Sequence, residues 1–177
     1  MPRTYWVAPS PPMHIIDGAA FNTFTAFQDI SPAPAIKLPP NTGEPGLTLE
    51  LEAWGEFSNT GTPTLSLGFF WGTAAVVLAQ TALITTTTAA TSWPWWLYYR
   101  GRVRTQGATG SIVGMGRLLL GTSLTALTQQ FLPTTLALRT VAIDTSIEKV
   151  VGVGAQWGTS SVSNTIKVNQ FDVTLRD

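Results

Sequence analysis

Two stretches of the chain end in the same way. Phe69-Phe70-Trp71-Gly72-Thr73-Ala74-Ala75 and Ala155-Gln156-Trp157-Gly158-Thr159-Ser160-Ser161 each close an apolar run on Trp-Gly-Thr and two small residues. A strand that finishes on a bulky aromatic and then meets a glycine able to take positive φ is a strand-to-turn junction. Its recurrence in two halves of one chain predicts β-sandwich organisation. The repeat brings no catalytic constellation with it, so it points first to a scaffold whose task is to assemble.

The chain from Gly46 onward supports this reading, because apolar stretches alternate with Gly, Thr, Asn and Pro breaks. Leu47, Leu49, Leu51 and Ala53 face one way and Thr48, Glu50, Glu52 and Trp54 the other, a period of two that marks a strand with one buried face. Further strands are expected at Thr64–Trp71, Ala75–Ile84, Trp95–Arg104, Ser111–Leu120, Leu136–Val141, Ile147–Trp157 and Thr165–Leu175. About eight antiparallel strands suit an all-β, jelly-roll-like antiparallel sandwich. In the last strand Ile166 and Val168 lie on one register and Phe171, Val173 and Leu175 on the other. A β-bulge near Asn169-Gln170 would return both sets to one face. The window Thr122–Phe131 has the best helical pattern, but its threonines and the following Pro133 favour a loop or a single turn.

Residues 1–46 read differently. Proline at positions 2, 9, 11, 12, 32, 34, 39, 40 and 45 keeps most of this segment out of a sheet interior. The expectation is an extended N-terminal docking arm ahead of a sandwich domain at 47–177. Its large apolar residues Tyr5, Trp6, Ile15, Ile16, Phe21, Phe24 and Phe27 are each worth roughly 1.5–3 kcal/mol when buried, so the arm should dock on something. Asn22–Phe27 is the expected place for a short edge strand within it.

Only 11% of residues are charged and the formal net charge is zero, against roughly 25% charged residues in an ordinary soluble domain. A free-standing protein usually holds its net charge away from zero. The polar surface here must come mostly from Thr, Ser, Asn and Gln, which points to burial against copies of the chain or a larger structure. The absence of cysteine excludes disulfides, thiolate catalysis and zinc-thiolate sites. No run approaches the roughly 20 apolar residues of a spanning helix and the N-terminus does not resemble a signal peptide, so neither membrane insertion nor export is expected.

Candidate sites are few. His14, the only histidine, lies in the Pro-rich arm with no neighbouring acid or nucleophile to orient it. Glu50 and Glu52 project from one strand face, with Glu56 beyond Gly55. Paired carboxylates of this kind can hydrolyse glycosides if one is desolvated, but two charges on a solvated face explain the pattern more simply. No Asp-rich loop spaces oxygen ligands for calcium, and no metal or cofactor is expected. Gly114-Met115-Gly116 lacks the lysine and helix start of a phosphate loop.

Arg100, Arg102 and Arg104 repeat the stripe geometry with opposite sign. Such a stripe could grip nucleic-acid phosphates, but the neutral chain offers no second basic cluster. The acidic stripe at Glu50/Glu52 is the simpler complement, across strands or across a subunit boundary. Trp93, Trp95, Trp96, Tyr98 and Tyr99 would serve as core and interface anchors, with a sugar-stacking platform as the second reading. The subunit-interface candidates are therefore Glu50, Glu52, Arg100, Arg102, Arg104, Trp95 and Trp96. No catalytic residue is expected.

Several turn and strand-end segments carry a resemblance: Ile36-Lys37-Leu38-Pro39-Pro40-Asn41-Thr42, Gly61-Thr62-Pro63-Thr64-Leu65, Trp93-Pro94-Trp95, Ile143-Asp144-Thr145-Ser146 and Ser161-Val162-Ser163-Asn164-Thr165-Ile166. In this order they are similar to small structural proteins of tailed bacteriophages, particularly those infecting actinobacteria, from about residue 31 to the C-terminus. The resemblance implies a non-enzymatic β-sandwich module made in the host cytoplasm and built into the virion. It implies a homotrimeric capsid decoration or stabilising protein that binds the major capsid protein or another virion protein. A tail or head-fibre module for host-surface or carbohydrate recognition is the alternative.

Overall fold

A computed structural model of the chain describes residues 17–122 and 126–176. Tyr5, Trp6, His14, Ile15 and Ile16 lie outside the described residues. The fold is an antiparallel β-sandwich of two sheets. The first contains β3 (Thr48–Ser58), β7 (Trp93–Thr105), β8 (Gly110–Gly121), β9 (Leu127–Leu132), β10 (Thr140–Ile143) and β12 (Thr165–Arg176). The second contains β1 (Gln28–Asp29), β2 (Ile36–Leu38), β4 (Thr64–Trp71), β5 (Thr73–Gln80), β6 (Ile84–Thr85) and β11 (Lys149–Trp157).

The first sheet runs β10-β8-β7-β3-β12, with β9 beside β8; the second runs β1-β11-β4-β5, with β2 on β11 and β6 on β4. The pairing of β3 with β12 and of β4 with β11 sets early strands against late ones. Leu49, Leu51, Ala53 and Phe57 of β3 meet Leu65, Leu67, Phe69 and Trp71 of β4 and Val151, Val153, Ala155 and Trp157 of β11 in one buried cluster. Within it Phe69 stacks on Phe171, with ring centroids 6.0 Å apart.

The Trp-Gly-Thr repeat acquires a geometric meaning. Because β4 and β11 are antiparallel neighbours, the two copies sit at opposite ends of one strand pair. The Gly72 N–H donates to the Val150 carbonyl at 2.7 Å, and the Gly158 N–H to the Thr64 carbonyl at 2.8 Å. Their reasons for being glycine differ. Gly72 turns the chain from β4 into β5 at φ +80°. Gly158 does not take positive φ; a side chain there would run into Thr64.

The register of β12 shifts between Val168 and Gln170, placing the expected bulge at Asn169 and turning Ile166, Val168, Phe171 and Leu175 all into the core. Four other expectations need correction. Thr122–Phe131 is no isolated turn: Leu127–Leu132 is an edge strand on β8. Leu136–Val141 begins as a 3-10 turn, Leu136–Arg139, before β10. The Ala75–Ile84 run divides into β5 and β6, because each pairs with a different part of β4. Asn22–Phe27 contains no strand beyond the single bridge that Phe21 makes to Ile166 next to it.

The described residues ahead of β3, from 17 onward, are built into the sandwich rather than held apart from it. Gly18 and Phe21 donate to the carbonyls of Val168 and Ile166 along the outer edge of β12. The chain then crosses to the second sheet, burying Phe24 and Ile30, and pairs β1 and β2 along the outer edge of β11. The Phe27 ring lies on Gly154, where any side chain would displace it. Proline is compatible with this course because each pairing is short and at an edge. One flank of the sandwich is thus sealed by the chain itself, an arrangement that removes two exposed edges.

Candidate binding face

The outer face of the first sheet gathers most of the residues singled out in the sequence. Alternation along each strand and the antiparallel registers place them in rows. One row reads Gln170, Trp54, Trp96, Leu119 and Gln129, and the next Asp172, Glu52, Tyr98, Arg117 and Phe131. A third reads Thr174, Glu50, Arg100 and Met115, and a fourth Arg176, Thr48, Arg102, Val113 and Thr140.

The aromatic run of β7 is divided by strand parity. Trp95 and Tyr99 point inward and are core residues, whereas Trp96 and Tyr98 belong to the outer face. Trp95, 2% exposed, is therefore packed within its own chain and not on a surface that a second subunit could reach. Burial pushes the Tyr99 hydroxyl far above the usual tyrosine range.

Trp96 and Tyr98 stack with centroids 6.0 Å apart and planes 7° from parallel. The Arg117 guanidinium lies 4.8 Å from the Trp96 ring centroid, within cation–π range. The Trp96 indole Nε1–H donates to Glu52 at 2.7 Å. Beside them Trp54 is 44% exposed. The face thus presents an aromatic surface whose rings are oriented by a cation and a carboxylate. Burial, first, and the Glu50 charge, second, raise the Tyr98 hydroxyl above its ordinary value.

The acidic and basic stripes meet within the chain. Glu50 lies directly across from Arg100, 3.5 Å from its Nε, and 3.0 Å from the Arg176 Nη2 on the other side. Arg102 Nε donates to the Gly46 carbonyl at 2.9 Å, and Arg104 is exposed near the end of β7. Arg176, which the sequence reading did not single out, faces Glu50 only because the Asn169 bulge sets the register of β12. The general acid of a glycosidase pair is a carboxyl kept protonated by dry surroundings. Glu50 instead faces two guanidiniums, and Glu52 accepts from an indole.

Three arm residues fall within the described part. Phe24 is in the core, Phe21 packs against it, and Phe27 covers Gly154. An ion cluster ties this segment down, with Lys167 2.9 Å from both Asp17 and Glu56. The hydrogen bond from Lys167 is the main cause that lowers the Asp17 carboxyl below its ordinary value.

Among the described residues the opposite flank has no such cover. The edge strand β9 and the following 3-10 turn leave Leu127 at 59%, Phe131 at 63%, Leu136 at 73% and Leu138 at 55% exposed. Alongside, a cavity of about 400 Å³ opens between β5 and β10, lined by Val77, Ala79, Pro133, Leu138 and Val141 among others. Polarity gave no warning of this strip, since its leucines and Phe131 resemble core residues in sequence.

Among the described residues no group of three or more His, Cys, Asp or Glu is placed to hold a metal ion, and no helix is long and apolar enough to cross a membrane. No protein-family model, curated protein or solved structure matches the chain.

Proposed function

We propose that the chain is a virion structural protein of a tailed bacteriophage, a homotrimeric decoration or stabilising module on the outer capsid shell. The observation that carries the self-association part of this reading is the uncovered flank. Exposed apolar side chains on a low-charge surface mark protein–protein contacts, and Leu127, Phe131, Leu136 and Leu138 are all exposed on the edge strand β9 and the 3-10 turn that follows it. The address on the particle rests on the turn and strand-end resemblance. Copies of a decoration protein bridge neighbouring shell subunits, each adding a small contact energy that sums over a symmetric lattice.

Counting labelled copies on intact particles tests this reading. Hundreds of copies spread over the head support it, and a few copies confined to the tail oppose it. Residues 17–38 are part of the sandwich, so an anchor for the shell must be sought elsewhere. Removing residues 1–16 is expected to abolish particle binding with the fold retained; full binding by the truncated protein rejects their role in docking.

The outer face of the first sheet favours a second reading, a tail or head-fibre module that recognises host-surface carbohydrate. Trp54, Trp96 and Tyr98 offer ring faces on which a sugar can stack. A glycan-array signal lost in Trp54→Ala and Trp96→Ala, with unchanged thermal unfolding, would support it. Silence across the array would count against it.

A further inference from the structure

The third and fourth rows of the outer face concentrate positive charge in a neutral chain. Four of the seven arginines stand here: Arg100, Arg102, Arg176, and Arg139, which immediately precedes Thr140. Glu50 is the one carboxylate in these rows, and it is already held by Arg100 and Arg176. A groove of about 330 Å³ opens among them, lined by Arg100, Arg102, Arg139, Thr48, Val113 and Met115 over the backbone of the Gly101–Gly114 pair. Its lining holds three guanidiniums and no carboxylate.

The three arginines reach the groove from two elements. Arg100 and Arg102 rise from adjacent outward positions of β7, whereas Arg139 comes from the 3-10 turn across β8. The Arg102 Nε is spent on the Gly46 carbonyl, a contact that orients its head and leaves the terminal N–H groups available. Among the described residues Arg139 makes no ion pair. Of the three, only Arg100 has a carboxylate partner among the described residues, Glu50, so the groove keeps an excess of positive charge that an anion would offset.

We propose that this groove binds a tetrahedral oxyanion, a phosphate or sulfate group. A carboxylate offers two oxygens in one plane and is satisfied by a single guanidinium fork. Three guanidiniums arriving from two elements suit a group whose oxygens point in several directions. Thr48 completes the groove wall beside them. The site is open to solvent, since the Arg100 side chain is 61% exposed, so the group can be free or carried on a larger molecule.

The test is calorimetric titration of the full chain with pyrophosphate, sulfate and citrate at constant ionic strength, followed through the arginine Nε–H resonances. Saturable binding of pyrophosphate or sulfate is expected, shifting Arg100 and Arg102. Arg139→Ala and Arg102→Gln should each weaken it about tenfold or more, the usual loss for a charge-assisted hydrogen bond. Arg117→Ala, outside the groove on the same face, should leave it unchanged. Heats that follow ionic strength alone, or an equal loss in Arg117→Ala, overturn the site. Citrate binding as tightly as pyrophosphate overturns the tetrahedral assignment.

Discussion

The two flanks of this sandwich solve the same problem in different ways. On one, residues 17–38 run along the edge of β12, cross between the sheets and pair with β11, so both edges are covered from within the chain. On the other, β9, β10 and β5 end the sheets with exposed leucines and a cavity between them. An open edge beside apolar side chains is a liability unless something covers it. The contrast teaches that one flank is covered from within the chain while the other keeps apolar side chains exposed at its strand edges.

Single phenylalanines should break the comparison most visibly. Phe24→Ala, on the sealed flank, removes a buried ring and should cost about 3–4 kcal/mol. Phe131→Ala, on the open flank, should change stability by no more than about 0.5 kcal/mol while weakening self-association. Urea unfolding and sedimentation of the two variants would separate these effects. Equal destabilisation by both would erase the distinction.

Gly154→Val comes next. The new side chain must displace the Phe27 ring, an overpacking expected to cost about 1–3 kcal/mol. The loss should shrink when Phe27→Ala is made in the same chain; a double variant as unstable as the sum of both would show that the ring does not rest there.

A buried polar group at one end of the sandwich, Asn59, comes after these in expected size. Its Nδ2 donates to Thr86 and Thr87 and its Oδ1 accepts from the Ala90 N–H, fixing the loop behind β6. Asn59→Ala leaves these groups unpaired and should cost about 2 kcal/mol. An unchanged melting temperature would mean that the loop after β6 is ordered by other contacts.

The smallest effect is a pH dependence of the sealed flank. The Asp17 carboxyl is lowered in the folded chain, chiefly by the Lys167 hydrogen bond. Its contribution is therefore present above the ordinary aspartate value of 3.8 and is lost as pH falls through the lower folded value. Lys167 is raised, chiefly by Asp17 and then Glu56, so its contribution is complete below 10.5 and lost as pH rises through the higher folded value. Protection factors of the Gly18 and Phe21 amides, taken relative to the intrinsic exchange rate at each pH, should fall outside that window and stay level within it. Constant protection across the range would show that the ion cluster does not hold this segment.

Much of this was legible in the sequence where a local signal and a period of two agreed. Thr64–Trp71 is strand β4 to the residue, and the change of parity in Thr165–Arg176 announced the Asn169 bulge. The complementarity of Glu50 and Arg100 was readable because each stripe alternates regularly. The rest depends on long-range pairing. Prolines disguise β1 and β2, which need only two or three residues each at an edge. Strand β9 lacks β-branched residues at its apolar positions. Trp95 and Trp96 look alike in sequence, and only parity sends one to the core. Arg139 joins the groove through a turn that no local pattern connects to β7.

Hydrogen exchange at low and high protein concentration tests the division of the two flanks most directly. Amides of residues 17–38 should be equally protected at both concentrations. Protection of Leu127–Leu132 and Thr140–Ile143 should rise as the protein associates. Concentration-dependent protection confined to 17–38, with β9 and β10 unchanged, would contradict it.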